Sequence, residues 1–260
     1  MAFEPGRAVV VSDPAQLATY GRAFRKVGKP VVVVPLGTGI HAGHVELIRA
    51  ARSLLGAVVM VTYAGEEVPE VFAAEKVDVV FHGDLGGARV SCGLDHLEDP
   101  DEIASGVGAV LAAVGATHAT DLVLGEKDFE LLVAVQRAVT ALRMEVKLHS
   151  VPTVRAADGL ALSLRNERVG NREAALALSA ALTAGSYVAE RGAAEVLATA
   201  RGVLAAAGVE PDYLELRSLG FEEAPSRGDA RLLAAITLGG VRLVDNVGLP
   251  LGVGFKNLEG

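Results

Sequence analysis

Val31-Val32-Val33-Val34-Pro35-Leu36-Gly37-Thr38-Gly39-Ile40-His41-Ala42-Gly43-His44 is the stretch whose reading decides the fold. Four consecutive valines predict a strand buried on both faces, as in a parallel sheet. Leu47, Ile48, Ala51, Leu54 and Leu55 then recur at helical spacing. The His41-Ala42-Gly43-His44 tetrad therefore falls at a strand-to-helix turn. Backbone N–H groups at such a turn point at anions. Imidazoles beside them can hydrogen-bond phosphate oxygens and stabilise charge growing at a nucleotide's α-phosphate. Two histidines around one glycine recur by chance, and a histidine near a helix start also serves as a cap. The place of this tetrad, at the end of the first strong strand, is what singles it out.

Outward from that turn, β-rich runs at residues 8–11, 31–34, 58–62, 77–81, 122–124 and 146–151 alternate with helical ones. This rhythm predicts an α/β fold with a doubly wound, Rossmann-like parallel sheet. Ligands of such sheets bind at the carboxyl ends of strands, where both His41 and Gly125-Glu126-Lys127-Asp128 fall. Beyond Pro152 the pattern changes. Asn171 is placed to cap a helix over residues 172–190, and a second helix over 193–207 ends at Gly208. Residues 213–217 alternate like a half-buried strand, and 232–238 meets 241–244 across Gly239-Gly240, a hairpin signal. The expectation is a nucleotide-binding domain over 1–152 and a smaller α+β, lid-like domain over 153–260.

Composition narrows the class. With 260 residues, of which 51% are hydrophobic and 22% charged, the chain can bury a sizeable core. A net charge of −8 without a Lys/Arg run argues against nucleic acid or an anionic membrane as partner and favours small molecules. Cys92 is the single cysteine, so no intramolecular disulfide forms; it reads as a small buried residue. The amino terminus lacks the features of a secretory signal, and no apolar run is long enough to span a membrane, so the expected compartment is the cytoplasm.

Three further segments carry chemistry. At Gly125-Glu126-Lys127-Asp128 an apolar strand again ends before a helix, beginning near Phe129. Lys127 can meet a triphosphate as a point charge, and Asp128 can accept from ribose hydroxyls or help hold Mg²⁺; capping of the helix is the simpler role for Asp128. Ser163-Leu164-Arg165-Asn166 offers a hydroxyl and a planar fork of donors for phosphates. His82, His96, His118 and His149 form no zinc spacing and read as ordinary surface or core histidines. The acidic stretch over 98–102 reads as a solvated helix start.

Together and in order, these pieces resemble the pantothenate synthetases, the pantoate–β-alanine ligases of the HxGH nucleotidyltransferase superfamily. The resemblance rests on Val34-Pro35 through His44, on Gly125-Glu126-Lys127-Asp128, on Val151-Pro152-Thr153-Val154-Arg155 through Asn166, and on Asp212–Arg217 with Arg242-Leu243-Val244-Asp245-Asn246. It implies an ATP- and Mg²⁺-dependent enzyme that adenylates a carboxylic acid, releases pyrophosphate and passes the acyl group to an amine. By motif position, His41, His44, Lys127 and Arg165 would be catalytic. Gly43, Gly125, Lys127, Asp128, Val154, Ser163 and Arg165 would border the nucleotide, and a homodimer is implied.

The departures from the family pattern lie on the acid side. Leu36 and Gly37 stand where a Thr-Met pair is expected before the tetrad. Leu131 stands at a glutamine position, and Leu164 at the second serine of Ser-Ser-Arg. Val61-Thr62-Tyr63-Ala64-Gly65-Glu66-Glu67 replaces a Phe-Val-Asn-Pro-x-Gln-Phe segment within a shortened region, and Asp99-Pro100-Asp101-Glu102-Ile103 stands where Arg-Pro-x-His-Phe is expected. Each lost hydrogen bond to a buried substrate group costs about 1–3 kcal/mol, so the acid is expected to differ from pantoate and to be less polar. Alternatives are pantoate held by substitutes such as Thr38 or Tyr63, a non-catalytic nucleotide-binding paralogue, and a simple adenylyltransferase.

Overall fold

The computed structural model describes residues 4–253, the side chain of Glu167 excepted. Strands β1 (Val9–Val11), β2 (Val31–Pro35), β3 (Val58–Tyr63), β4 (Val79–His82), β5 (Asp121–Gly125) and β6 (Lys147–Val151) form one parallel sheet in the order β1-β4-β3-β2-β5-β6. The helices threaded between them are α1 (Pro14–Lys26), α2 (Ala42–Ser53), the single turn α3 (Val71–Ala74), α4 (Pro100–Thr117) and α5 (Phe129–Ala141). Thus the doubly wound parallel sheet read from the valine run and its neighbours is the fold observed.

The strand order explains where a ligand can bind. From β2 the chain winds outward through β3 and β4, then crosses back to place β5 on the other flank of β2. The winding direction reverses between β2 and β5, and connections leaving their carboxyl ends diverge to open a crevice. Those two ends lead into His41-Ala42-Gly43-His44 and into Gly125-Glu126-Lys127-Asp128. Val31 to Val34 are fully buried, which fixes β2 as the axis of the sheet. One face is filled by Leu47, Ile48 and Ala51 of α2 with Phe72, and the other by Leu17 of α1 with Met60 and Phe81.

A smaller antiparallel sheet follows, β7 (Pro211–Ser218), β8 (Gly228–Leu238) and β9 (Val241–Leu251), in that order. Helices α6 (Arg172–Tyr187) and α7 (Ala193–Ala206) supply Leu178, Leu182, Val196 and Leu204 to a core shared with Leu232 and Ile236. Gly239 and Gly240 turn the hairpin with φ of +56° and +80°, a left-handed pair that glycine adopts without steric cost.

By contacts the chain divides into two compact units, Met1–Glu126 with Glu130–Val154, and Lys127–Phe129 with Arg155–Gly260. Lys127–Phe129 thus packs with the second unit although it follows β5 directly in sequence.

Several local expectations are corrected. The strand expected over 77–81 begins at Val79, because the Val77 N–H closes back on the Phe72 carbonyl. The helix expected over 172–190 ends at Tyr187, where the Val188 N–H turns to Gly185 and a 3-10 turn, Ala189–Arg191, leads to Gly192 at φ +93°. The last strand runs to Leu251, well past residue 244; Asp245 and Asn246 interrupt its apolar alternation yet are buried in it, and Pro250 is tolerated on an edge strand. Cys92 is half-buried, its thiol directed at the Ala134 carbonyl. Asp99 caps α4 by accepting from the N–H groups of Asp101 and Glu102, which is the helix start read from the acidic stretch. Among the described residues no helix is long and apolar enough to cross a membrane.

Candidate functional site

The turn after β2 is built by its own histidines. His41 stands in extended conformation at the N-cap of α2, and its Nδ1 accepts from the Gly43 N–H at 3.0 Å. His44 reaches back, its Nδ1 accepting from the His41 N–H at 3.3 Å, which completes a reciprocal capping box. A ring nitrogen that accepts from a backbone N–H carries no proton of its own. Both rings are therefore neutral in this arrangement, with the proton on Nε2. The cap uses Nδ1 of each ring and leaves Nε2 outside it. The rings stack with centroids 3.9 Å apart. A Cβ at Gly43 would lie 2.7 Å from His41 Cε1, so a larger residue there would displace the capping ring.

The segment leading into this turn is strapped to β3. Leu36 donates its N–H to the Thr62 carbonyl, and the Tyr63 hydroxyl donates to the Thr38 carbonyl at 3.0 Å. A Cβ at Gly65 would lie 2.3 Å from that hydroxyl and 2.6 Å from the Thr38 oxygen, so glycine is needed where the chain passes the strap. His82, at the end of β4, donates Nε2–H to the Gly65 carbonyl at 2.8 Å. Tyr63 and His82 are therefore parts of the scaffold around the His41 turn.

Leu36 packs on the core that faces α2, Gly37 is exposed, and Leu131 lies against Gly106 of α4, where a Cβ would meet its Cδ1 at 2.9 Å. The described contacts of these three positions are separate. Gly125 closes β5 with only Leu47 in ordinary reach of a Cβ, and Val154 is the half-buried last residue of the first unit.

Sequence reasoning missed Glu130. Its carboxylate is 4% exposed, accepts from His96 Nδ1–H at 2.6 Å and from the N–H groups of Leu97 and Glu98, and so ties the loop before α4 to the first turn of α5. The available signal was an acid in a helix's first turn, which is equally a favourable placement for the helix dipole. His96 is a bonded partner of that carboxylate, while His149 donates Nε2–H to Asp121 at 2.7 Å.

In the second unit, Lys127, Ser163, Arg165 and Asn166 line one small cavity of about 10 Å³ together with Asp245. Ser163 Oγ accepts from the Arg165 N–H at 3.1 Å and caps the 3-10 turn Leu164–Arg168. The Asp128 carboxylate is 61% exposed, with Lys127 Nζ 3.8 Å away. Behind the cavity Arg155 grips Asp245 with both Nη atoms at 2.6 and 3.0 Å, and Ser179 Oγ donates to the same carboxylate. Asn246 Nδ2 donates to the Lys127 carbonyl at 2.8 Å, and the Arg231 guanidinium sits 4.2 Å over the Phe129 ring. Lys127, Ser163 and Arg165 are thus brought together within the second unit, and His41, Gly43 and His44 within the first.

The sequence profile of the family described as Pantoate-beta-alanine ligase matches residues 90–248. A protein of Corynebacterium jeikeium named pantothenate synthetase is 40% identical over 293 aligned positions, covering 100% of this chain and 95% of the relative. The alignment is longer than the 260 residues of this chain, so the relative carries segments that this chain lacks. Among solved structures, pantothenate synthetase from Thermus thermophilus superimposes with a TM-score of 0.78 at 25% identity, covering 92% of this chain and 98% of that one. A pantoate–β-alanine ligase from Francisella tularensis, described as complexed with β,γ-ATP and β-alanine, shares the fold with a TM-score of 0.70 at 21% identity, covering 95% and 99%.

Proposed function

This chain belongs to the pantoate–β-alanine ligase family, and from that premise we propose that it joins pantoate to β-alanine with cleavage of ATP to AMP and pyrophosphate. A carboxylate oxygen of the acid attacks the α-phosphorus as the bond to pyrophosphate breaks. The amine nitrogen then attacks the acyl carbon, AMP leaves, and the amine gives up a proton. The observation that carries this reading is the reciprocal cap of His41 and His44, which holds two Nε2–H donors in a fixed tautomer at the crevice side of β2. Preorganised donors of that kind act on charge that develops in the transition state without rearranging first.

Lys127, Ser163 and Arg165 line one small cavity, and in this reading they hold the β- and γ-phosphates. Gly43, Gly125 and Val154 border the nucleotide and Asp128 accepts from its ribose. Mg²⁺ would be held mainly by the phosphate oxygens, with the exposed carboxylate of Asp128 as the alternative use of that residue. The magnesium supplies charge neutralisation on the phosphates. The protein is taken as a cytoplasmic homodimer.

ATP–pyrophosphate exchange tests the reading. Exchange that depends on pantoate and collapses in His44→Ala supports it, whereas absence of ATP binding in a calorimetric titration overturns it. A second reading, in which the acid is less polar than pantoate, is favoured by Leu36 and Leu131 at positions where polar residues are expected and by the segments missing relative to the Corynebacterium protein. Exchange across a panel of acids separates the two, and robust exchange with pantoate alone eliminates the second.

A further inference from the structure

Asn246 is a buried residue of β9, 4% exposed, and its side-chain amide is spent on a main-chain atom far away in sequence, the carbonyl of Lys127 at 2.8 Å. The partner is the cation of the Gly125-Glu126-Lys127-Asp128 segment, and an amide donor fixes the peptide plane that bears its side chain. We propose that Asn246 is a positioning residue for the reaction: it sets the backbone of Lys127 so that the ammonium meets the polyphosphate of ATP. The inference rests on the reading that Lys127 binds those phosphates.

Three observations join at this point. First, Lys127–Phe129 packs with the second unit and is separated in this respect from the residues on either side of it in sequence. Second, the neighbouring contact has the same sense, since Arg231 of β8, 8% exposed, lies over the Phe129 ring. Third, the strand that carries Asn246 is itself held: Asp245 receives a two-pronged grip from Arg155 and a bond from Ser179, and the Arg155 guanidinium also donates to the Asn246 carbonyl at 3.2 Å. Arg155 thus ties the Asp245 carboxylate and the Asn246 backbone to one place. Ser163 and Arg165 share the Lys127 cavity, so a fixed lysine backbone keeps all three phosphate partners in one register. A lysine ammonium is a point charge on a flexible stem, and its usefulness depends on how well its root is placed.

The test is a double-mutant cycle on the full-length protein with Asn246→Ala, Lys127→Ala and the pair, read by the KM for ATP, kcat and melting temperature. Loss of the amide is expected to raise the KM for ATP about five- to tenfold, to leave the KM values of the acid and the amine where they were, and to have no further effect once Lys127 is alanine. An Asn246→Ala effect that persists in full on the Lys127→Ala background overturns the proposal, as does a fall in melting temperature with an unchanged KM for ATP. If Lys127→Ala alone leaves the KM for ATP unchanged, the phosphate role of Lys127 fails instead and the proposal falls with it. Should Asn246→Ala not yield folded protein, Asn246→Ser, which keeps a polar group at the buried position, is measured in the same cycle with the same outcomes.

Discussion

His41 and His44 hold each other in place: the Nδ1 of His44 accepts from the backbone N–H of His41, and the two rings stack with centroids 3.9 Å apart. The helix N-terminus is capped through Nδ1 of both rings, so the cap and the proposed role of Nε2 can be separated only by a substitution that preserves the cap.

Asparagine is such a substitution at position 41, being among the best N-caps. His41→Asn is expected to keep the melting temperature while lowering kcat by about 10²–10³-fold, the usual effect of losing one preorganised donor. His41→Ala loses the cap as well and is expected to cost about 1 kcal/mol of stability in addition. Denaturant melts and pyrophosphate exchange on both variants check this.

The strap from Tyr63 to the Thr38 carbonyl is one hydroxyl wide. Tyr63→Phe keeps the ring, which packs edge-on against Phe72, and removes only that bond. A loss of about 1 kcal/mol is expected, with a lowered kcat because the segment entering the His41 turn is less fixed. Gly65→Ala is the harsher change, since its Cβ would lie 2.3 Å from the Tyr63 hydroxyl, and it is expected to cost about 1–3 kcal/mol by overpacking.

Asp245 is 2% exposed and bonded to Arg155 through both oxygens. Removing the carboxylate takes two bonds from the guanidinium, which is 30% exposed and keeps the Gly159 and Asn246 carbonyls, so the loss of this charge-assisted pair costs about 1–3 kcal/mol. Asp245→Ala is therefore expected to lower the denaturation midpoint markedly. A change within error of the wild-type midpoint contradicts this account of the network.

His118 closes α4 in the left-handed conformation at φ +50°. Burial, together with the charges of Arg22 and Arg25, holds its pKa below the ordinary 6.5. As pH falls below about 6.5 the unfolded chain takes up this proton before the folded one does, so stability from this group is complete above that pH and declines beneath it. His118→Asn, which tolerates the same backbone conformation, is expected to flatten that part of the stability profile between pH 5 and 7.

Burial also pushes the Cys92 thiol upward, ahead of the opposing influence of Arg137. Less thiolate is present at a given pH than for a free cysteine, so alkylation by iodoacetamide at pH 8 is expected to be slower than that of a model thiol and to accelerate on unfolding.

The sequence by itself determined the parallel sheet and that its ligands meet the carboxyl ends of strands, while the strand order that opens the crevice between β2 and β5 came from the tertiary structure. Val31 to Val34 can be satisfied only by burial on both faces, and the alternation of short strands with helices allows few other windings. It also placed His41 and Lys127 just after strand ends, because motif position along a βαβ chain is a local property; that the two strands are neighbours is a fact of the folded sheet. What the tertiary structure decided is which atoms those residues have left to use. The tautomer of the two histidines follows from backbone N–H groups that only the folded turn brings within 3.3 Å. The attachment of Lys127 to Asn246, 119 positions away, carries no periodicity that a sequence reading could follow. Glu130, Asp245 and Asn246 look like solvent-facing residues in a string of letters, and they are buried because partners distant in sequence supply the hydrogen bonds that make burial affordable.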